Sequence, residues 1–315
     1  MAILKHGLHG MGRPATPAPV KRIASVFDAP AGSFPHPWGS LPALTDDQFD
    51  YFRGLAMRHA GIVIAGFKRS MLLRRIRTRM SALMMDTAED YCRFLASPDG
   101  EGELQPLINA LTTNKTEFFR EKHHFDHLAS VVLPRLVKEK AKENRPRLRI
   151  WSAGCSTGEE PYSIAMTLSR TIESLSEWNA RILATDIDTE VLDRARQGHY
   201  RLGDVTPVSP ELRHRYLEAG PAGQGWIRVV PSIQRLVTFK PLNLHHEWPM
   251  RGPFDVIFCR NVVIYFDKAT QRLLFNRFAD LLTPGGILYC GHSESLFGIC
   301  PRFRPLGQSI YQRIE

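Results

Sequence analysis

The sequence predicts an α/β fold: a mostly parallel sheet with helices on both faces and a small antiparallel β insertion, preceded by a small all-α domain. Three observations carry this. From residue 147 onward short apolar runs alternate with helical patterns, as in a parallel sheet covered on both faces. Between Gln197 and Gln234 the alternation breaks into chain punctuated by proline and glycine. There Trp226 to Val230 alternates as a solvent-facing antiparallel strand does. From Thr45 to about residue 120, apolar positions recur at helical spacing with few strand signals.

Taken in order, residues 1–40 carry Pro14, Pro17, Pro19, Pro30, Pro35 and Pro37 and are expected to form a disordered leader. The helical domain is expected over 41–121, opening at a Thr45-Asp46-Asp47 cap. A linking helix follows within 122–146 and ends near Asn144 and Pro146. The remainder, 147–315, is expected to hold strands at 148–153, 181–186, 235–240, 254–259 and 286–291, with a last one near 309–314. The β insertion occupies about 198–234, and no internal repeat is present.

A chain of 315 residues is long enough for two modest domains, each with its own core. The net charge of +9 favours an acidic partner, but the excess is modest and nucleic acid is not indicated. Five widely spread cysteines, without a C-x-x-C pair, argue against a disulfide framework or a zinc site and point to a reducing compartment. No signal-peptide core and no run of about 20 apolar residues is present, so the expected location is the cytoplasm, without membrane insertion. His123-His124 and His245-His246 are adjacent pairs that do not share a helix face, and no H-E-x-x-H occurs, so no metal is expected.

The chemistry concentrates where the strands end, which is where an open parallel sheet binds its ligand. Residues 149–163 run from an apolar strand through a small-residue loop into a helix start. Gly154 and Gly158 permit backbone angles and close approach that a Cβ forbids. Glu159 and Glu160 stand where a phosphate-binding loop would carry a lysine, so a cationic or zwitterionic ligand fits better. S-adenosylmethionine is the candidate, although an ordinary strand-to-helix turn carries similar residues. Past the second strand, Asp186 suits the ribose hydroxyls and Asp188 a helix cap. Asn243 and Leu244 suit an adenine edge and face, and the loop from Cys259 to Phe266 faces the reacting centre. The segment from Lys68 to Arg79 holds six cations and no acid. On a helix, Leu72, Ile76, Met80 and Leu83 form its buried stripe, leaving Arg74 with Arg77 and Arg75 with Arg79 as exposed neighbours, either a solvated face or a partner site.

From about residue 44 to the end, the chain resembles the chemotaxis receptor methyltransferases of bacteria, the CheR family. The resemblance is carried by Leu111 to Arg120, Trp151 to Tyr162, Ala184 to Asp188, Phe254 to Asp267 and Gly291-His292-Ser293-Glu294. It implies a helical domain followed by a Rossmann-like class I methyltransferase domain with an antiparallel subdomain inserted. The implied activity is transfer of a methyl group from S-adenosylmethionine to glutamate side chains of chemoreceptor cytoplasmic helices, yielding methyl esters and S-adenosylhomocysteine. By resemblance Asn114, Thr116, Arg120, Glu160, Asp186, Asn243, Leu244, Arg260 and Asn261 line the cofactor pocket with Gly154, and the basic helix docks glutamate-rich receptor helices. In some members the insertion grips a receptor's C-terminal tether, a role that Gly220, Gly223 and Gly225 leave open here.

A glutamate carboxylate is already ionised at neutral pH, so its attack on a sulfonium methyl needs no general base. Arg120 and Tyr265 are expected to hold that carboxylate; Arg120 equally suits the carboxylate of the cofactor. An RNA or small-molecule methyltransferase, or a non-enzymatic S-adenosylmethionine-binding regulator, would share the cofactor loop. His292 and Glu294 have no assignable role from sequence.

Overall fold

The computed structural model describes residues 43–220 and 225–314; the expected leader and Gly223 lie outside the described residues. Thr45 caps helix α1 (Asp46–Ala60) reciprocally: its hydroxyl accepts the Gln48 N–H while the Gln48 side chain accepts the Thr45 N–H. The helix stops at Gly61, whose φ of 69° is the left-handed cap that glycine tolerates. Helices α2 (Arg69–Ala82), α3 (Ala88–Leu95) and α4 (Leu104–Leu111) complete the helical domain. Their core contains Phe52, Leu72, Ile76, Tyr91 and Leu107, all fully buried.

Helix α2 buries Leu72, Ile76 and Met80, whereas Leu83 is only half-buried against them. The expected exposed pairs of arginines need correction. Arg79 grips buried Glu103 with two parallel bonds of 2.8 and 2.7 Å, and the Tyr91 hydroxyl donates to the same carboxylate at 2.8 Å. Arg75 donates to the carbonyls of Ala110, Leu111 and Thr112 and to Thr113 Oγ1, closing the C-terminal end of α4, where helix carbonyls lack partners. Both arginines are therefore half-buried and engaged, Arg77 is half-buried, and Arg74 is exposed.

The linking helix is continuous but irregular: α5 (His123–His127), a π turn over Leu128–Val132, then α6 (Leu133–Lys140). Pro134 accounts for the irregularity, since it offers no N–H and its ring displaces the preceding carbonyls.

Strands β1 (Arg147–Ala153) and β2 (Asn179–Asp186) flank α7 (Glu159–Thr171), and α8 (Thr189–Gln197) follows β2. The insertion contributes β3 (His199–Arg201), α9 (Pro210–Tyr216), β4 (Leu217–Ala219), β5 (Trp226–Val229) and α10 (Pro231–Gln234), with an antiparallel sheet ordered β3-β5-β4. Then come β6 (Val237–Pro241), β7 (Phe254–Cys259), α11 (Lys268–Leu281), β8 (Leu282–Cys290), β9 (Phe303–Gly307) and β10 (Ile310–Arg313). The main sheet is ordered β6-β2-β1-β7-β8-β10-β9, parallel from β6 to β8 and antiparallel beyond. Two departures from the sequence pattern stand out. Strand β9, in which Arg304, Pro305, Leu306 and Gly307 are all exposed, gives no apolar run; β8 starts four residues early through an irregular stretch at the Pro284-Gly285-Gly286 segment.

The chain leaves β1 toward β2 and β6 on one side and returns to β7 and β8 on the other. The switch point of the sheet therefore lies between β1 and β7, where a crevice opens beyond the strand ends. One face of the sheet packs the linking helix and α7, through Phe125, Leu128, Ile164 and Ile150; the other packs α11 through Trp151, Phe275 and Phe278.

Because Glu103 is only 5% exposed, removing its partner strands a buried charge. Arg79→Ala is expected to lower unfolding free energy in urea by about 3–5 kcal/mol; a loss below about 1 kcal/mol, the level of a surface pair, would show the bridge to be a surface contact.

Candidate functional site

The loop after β1 is built by close approach. At Gly154, with φ of 85°, a Cβ would lie 2.3 Å from Val262 Cγ2, so glycine lets the β1 and β7 loops touch. The Gly154 and Cys155 N–H groups donate to Thr185 O at 2.8 and 3.0 Å, which ties the loop to β2. Gly158, with φ of 98°, leads into α7.

Asp186, at the end of β2, accepts the Ser156 N–H at 2.8 Å and the Asp188 N–H at 3.0 Å, one on each oxygen. It is 8% exposed, and burial pushes its carboxyl up to about 6 against the pull of those amides. Each oxygen keeps lone-pair capacity for a ligand hydroxyl. Asp188 caps α8 through Oδ1, accepting the Glu190 and Val191 N–H groups, as the sequence suggests. Its Oδ2 also accepts Thr112 Oγ1 at 2.8 Å and Asn114 Nδ2 at 2.7 Å, which fixes the segment leaving α4 over the crevice. Ser156 Oγ donates to Asn114 O from the other side.

The opposite wall is a buried charge network. Glu160 accepts Ser152 Oγ at 2.7 Å and faces Arg260 Nη1 at 3.1 Å; Arg260 Nη2 lies 3.1 Å from Glu121, whose other oxygen meets His292 Nδ1 at 3.0 Å. Burial raises the Glu160 carboxyl, with Arg260 opposing. At Glu121 burial raises the carboxyl too, but Arg260 and His292 outweigh it and the net direction is down. His124, fully buried, is pushed down to about 3 by burial and stays neutral beside Gln308 O. Glu159 accepts Thr157 Oγ1 and does not line the crevice.

A cleft of about 980 Å³, part of it open to solvent, joins these parts. Every residue that the sequence assigned to the cofactor lines it: Asn114, Thr116, Arg120, Gly154, Glu160, Asp186, Asn243, Leu244, Arg260 and Asn261, together with Tyr265. Their hands are not equally free. Asn243 spends its amide on His59 O and the His245 N–H, and Arg260 spends its two terminal nitrogens on two glutamates and Arg120 O. Arg120 lies on a turn between Phe119 and Glu121, whose φ values of 53° and 56° are costly for such residues, and it donates to Lys115 O at 2.8 Å. Of the cations on α2, none is among the lining residues, and burial holds Arg75 below its usual pKa.

Three residues escaped sequence reasoning. Ser156 and Glu121 sit beside singled-out residues and carried no periodic signal of their own. Glu294 does have a role: its carboxylate accepts the N–H groups of Asn261, Val262, Val263 and Gly291. An acid three residues past a strand end, beside another loop, was the signal available. Among the described residues no group of three or more His, Cys, Asp or Glu is placed to hold a metal, and no helix is long and apolar enough to cross a membrane.

Comparison with known proteins agrees with this geometry. A family described as "CheR methyltransferase, SAM binding domain" matches residues 114–311, and "CheR methyltransferase, all-alpha domain" matches residues 47–112. The chain is 42% identical over 271 residues to the chemotaxis protein methyltransferase of Salmonella typhimurium, covering 85% of this chain and 91% of that protein. It is 43% identical over 272 residues to that of Escherichia coli, with coverage of 85% and 91%. The protein of the same name from Klebsiella aerogenes is 43% identical over 296 residues, covering 93% and 98%.

Asp186→Ala is expected to weaken S-adenosylhomocysteine binding by about 1.5–3 kcal/mol, as for lost hydrogen bonds to a charged group. Since a hydroxyl donates best to the ionised carboxylate, wild-type affinity should also fall as pH drops through about 6. Calorimetry showing equal affinity in a folded variant would remove Asp186 from the ligand site.

Proposed function

The chain belongs to the CheR methyltransferase family, and from that premise we propose that it methylates glutamate side chains on the cytoplasmic helices of bacterial chemoreceptors. The methyl donor is S-adenosylmethionine, which supplies an electrophilic methyl on a sulfonium. The residues present fit such a group. The cleft offers a buried carboxylate, Asp186, with unused acceptor capacity, and Glu160 on the facing wall, an arrangement that favours a cation and disfavours a polyphosphate. The observation that carries the reading is the convergence of Asp186, the 114–116 segment and Tyr265 on one cleft at the switch point of the sheet.

The chain's own contribution is placement. No base is required, so the work is to align an ionised carboxylate and keep water away. Tyr265, on the short helical turn Val263–Tyr265, lines the cleft with Phe266 and can wall it while its hydroxyl donates to the incoming carboxylate. Arg120 stands on its strained turn beside the cleft and steers either that carboxylate or the one on the cofactor. Arg74 and Arg77 on α2 supply positive charge for an acidic receptor helix, with Arg75 and Arg79 acting from behind by fixing α4 and Glu103. In the same reading the β3-β5-β4 sheet offers an edge strand to a receptor's C-terminal tether. Such a substrate places the enzyme in the cytoplasm.

The test is transfer of labelled methyl groups to receptor cytoplasmic fragments, followed by mild alkali. Release of labelled methanol is expected from esters, while alkali-stable label would point to a nitrogen acceptor and contradict the reading. Tyr265→Phe should lower kcat about tenfold or more and leave S-adenosylhomocysteine affinity nearly unchanged; an unaltered kcat would take Tyr265 out of the reacting centre. Replacing Arg74 and Arg77 with Glu should raise the receptor KM, as should added salt for the wild type. Indifference of the receptor KM to both would leave this face merely solvated.

A further inference from the structure

We propose that Glu294 is a positioning residue for methyl transfer: its carboxylate fixes the turn that presents Asn261 and Tyr265 to the cleft, without itself touching cofactor or substrate. The inference rests on the methyltransferase reading above. Glu294 is 3% exposed and does not line the cleft. Its Oε1 accepts the Val262 and Val263 N–H groups, both at 2.8 Å, and its Oε2 accepts those of Asn261 at 2.8 Å and Gly291 at 2.5 Å. These donors stand where β7 and β8 end and where the turn bearing Tyr265 begins, positions whose N–H groups have no acceptor within their own elements.

One side chain thus locks three consecutive amides of the β7 loop to the end of β8. The clamp also holds Asn261 at a φ of 60°, a left-handed conformation that asparagine accepts more readily than other residues with a side chain. Gly291 makes room for it: a Cβ there would lie 2.5 Å from Asn261 Nδ2 and 2.8 Å from Asn261 N. Tyr265 is one turn away, its N–H donating to Val262 O at 3.2 Å, so a shift of the clamped amides is passed directly to the tyrosine. The Tyr265 carbonyl then accepts the Val63 N–H at 2.8 Å, joining the turn to the helical domain. Four N–H donors on one carboxylate admit no neutral substitute, because a glutamine turns its own amide donors toward two of them in either orientation.

The experiment compares wild type, Glu294→Gln, Tyr265→Phe and the double variant, using labelled-methyl kinetics, S-adenosylhomocysteine calorimetry and amide hydrogen exchange. Glu294→Gln should lower kcat about tenfold or more, weaken S-adenosylhomocysteine binding through Asn261 by a clearly smaller factor, and speed exchange at residues 261–263. If Glu294 acts through Tyr265, the double variant should lose no more than the worse single variant; losses that multiply would overturn the proposal. Equal losses of kcat and cofactor affinity would overturn it too, making Glu294 a support of the cofactor site alone. Should Glu294→Gln fail to fold, Glu294→Asp, which keeps the charge and withdraws it by one methylene, carries the same cycle. Absence of methyl transfer by the wild type would bring down the enzymatic reading itself, whereas transfer by the wild type with multiplying losses would bring down only the role of Glu294.

Discussion

The carboxylate of Asp188 joins the helical domain to the sheet at the place where the cleft forms. One oxygen satisfies the first turn of α8, and the other takes the Thr112 hydroxyl and the Asn114 amide from the segment leaving α4. Burying this charge at 3% exposure is costly unless every lone pair is used, and four donors meet that condition. The neighbours repeat the tie: Gln105 donates to Ile187 O, and Asn109 donates to Thr189 Oγ1. A cleft wall contributed by the helical domain is thereby held at fixed distance from Asp186, two residues away on the other side.

Across the cleft the same logic uses fixed charges. Glu121, Arg260 and Glu160 form an ion-pair chain nearly free of solvent, and the Arg260 guanidinium also packs over Phe125. Replacing such a chain with apolar side chains is often neutral or favourable for stability, so its presence here fits a demand for preorganised geometry and field. The backbone agrees: Phe119, Glu121, Ser156 and Asn261 all take positive φ around the cleft, strain that the surrounding hydrogen bonds maintain. For a reaction whose nucleophile is ionised before it arrives, rigidity and dryness are the contributions left to the protein.

Much of this was readable in the sequence. The strand and helix alternation after residue 147, the Thr45 cap, the Asp188 cap and the residues beyond each strand all follow from local rules, because periodicity and capping are local properties. What was not readable depends on partners far along the chain. Arg79 looked like a surface cation until Glu103 and Tyr91 came round to meet it. Arg75 looked the same until the end of α4 arrived beneath it. Glu294 had no role by itself, since its four donors come from two loops, one of them about thirty residues upstream. Strand β9 was missed because most of its residues are exposed and carry no alternation.

The most direct measurement is a crystal structure of the chain with S-adenosylhomocysteine. Ribose hydroxyls within hydrogen-bond distance of Asp186, adenine against Leu244 and the sulfur turned toward Tyr265 are the predicted arrangement. A ligand seated outside this cleft, or seated within it with the ribose away from Asp186 and the sulfur away from Tyr265, would contradict it.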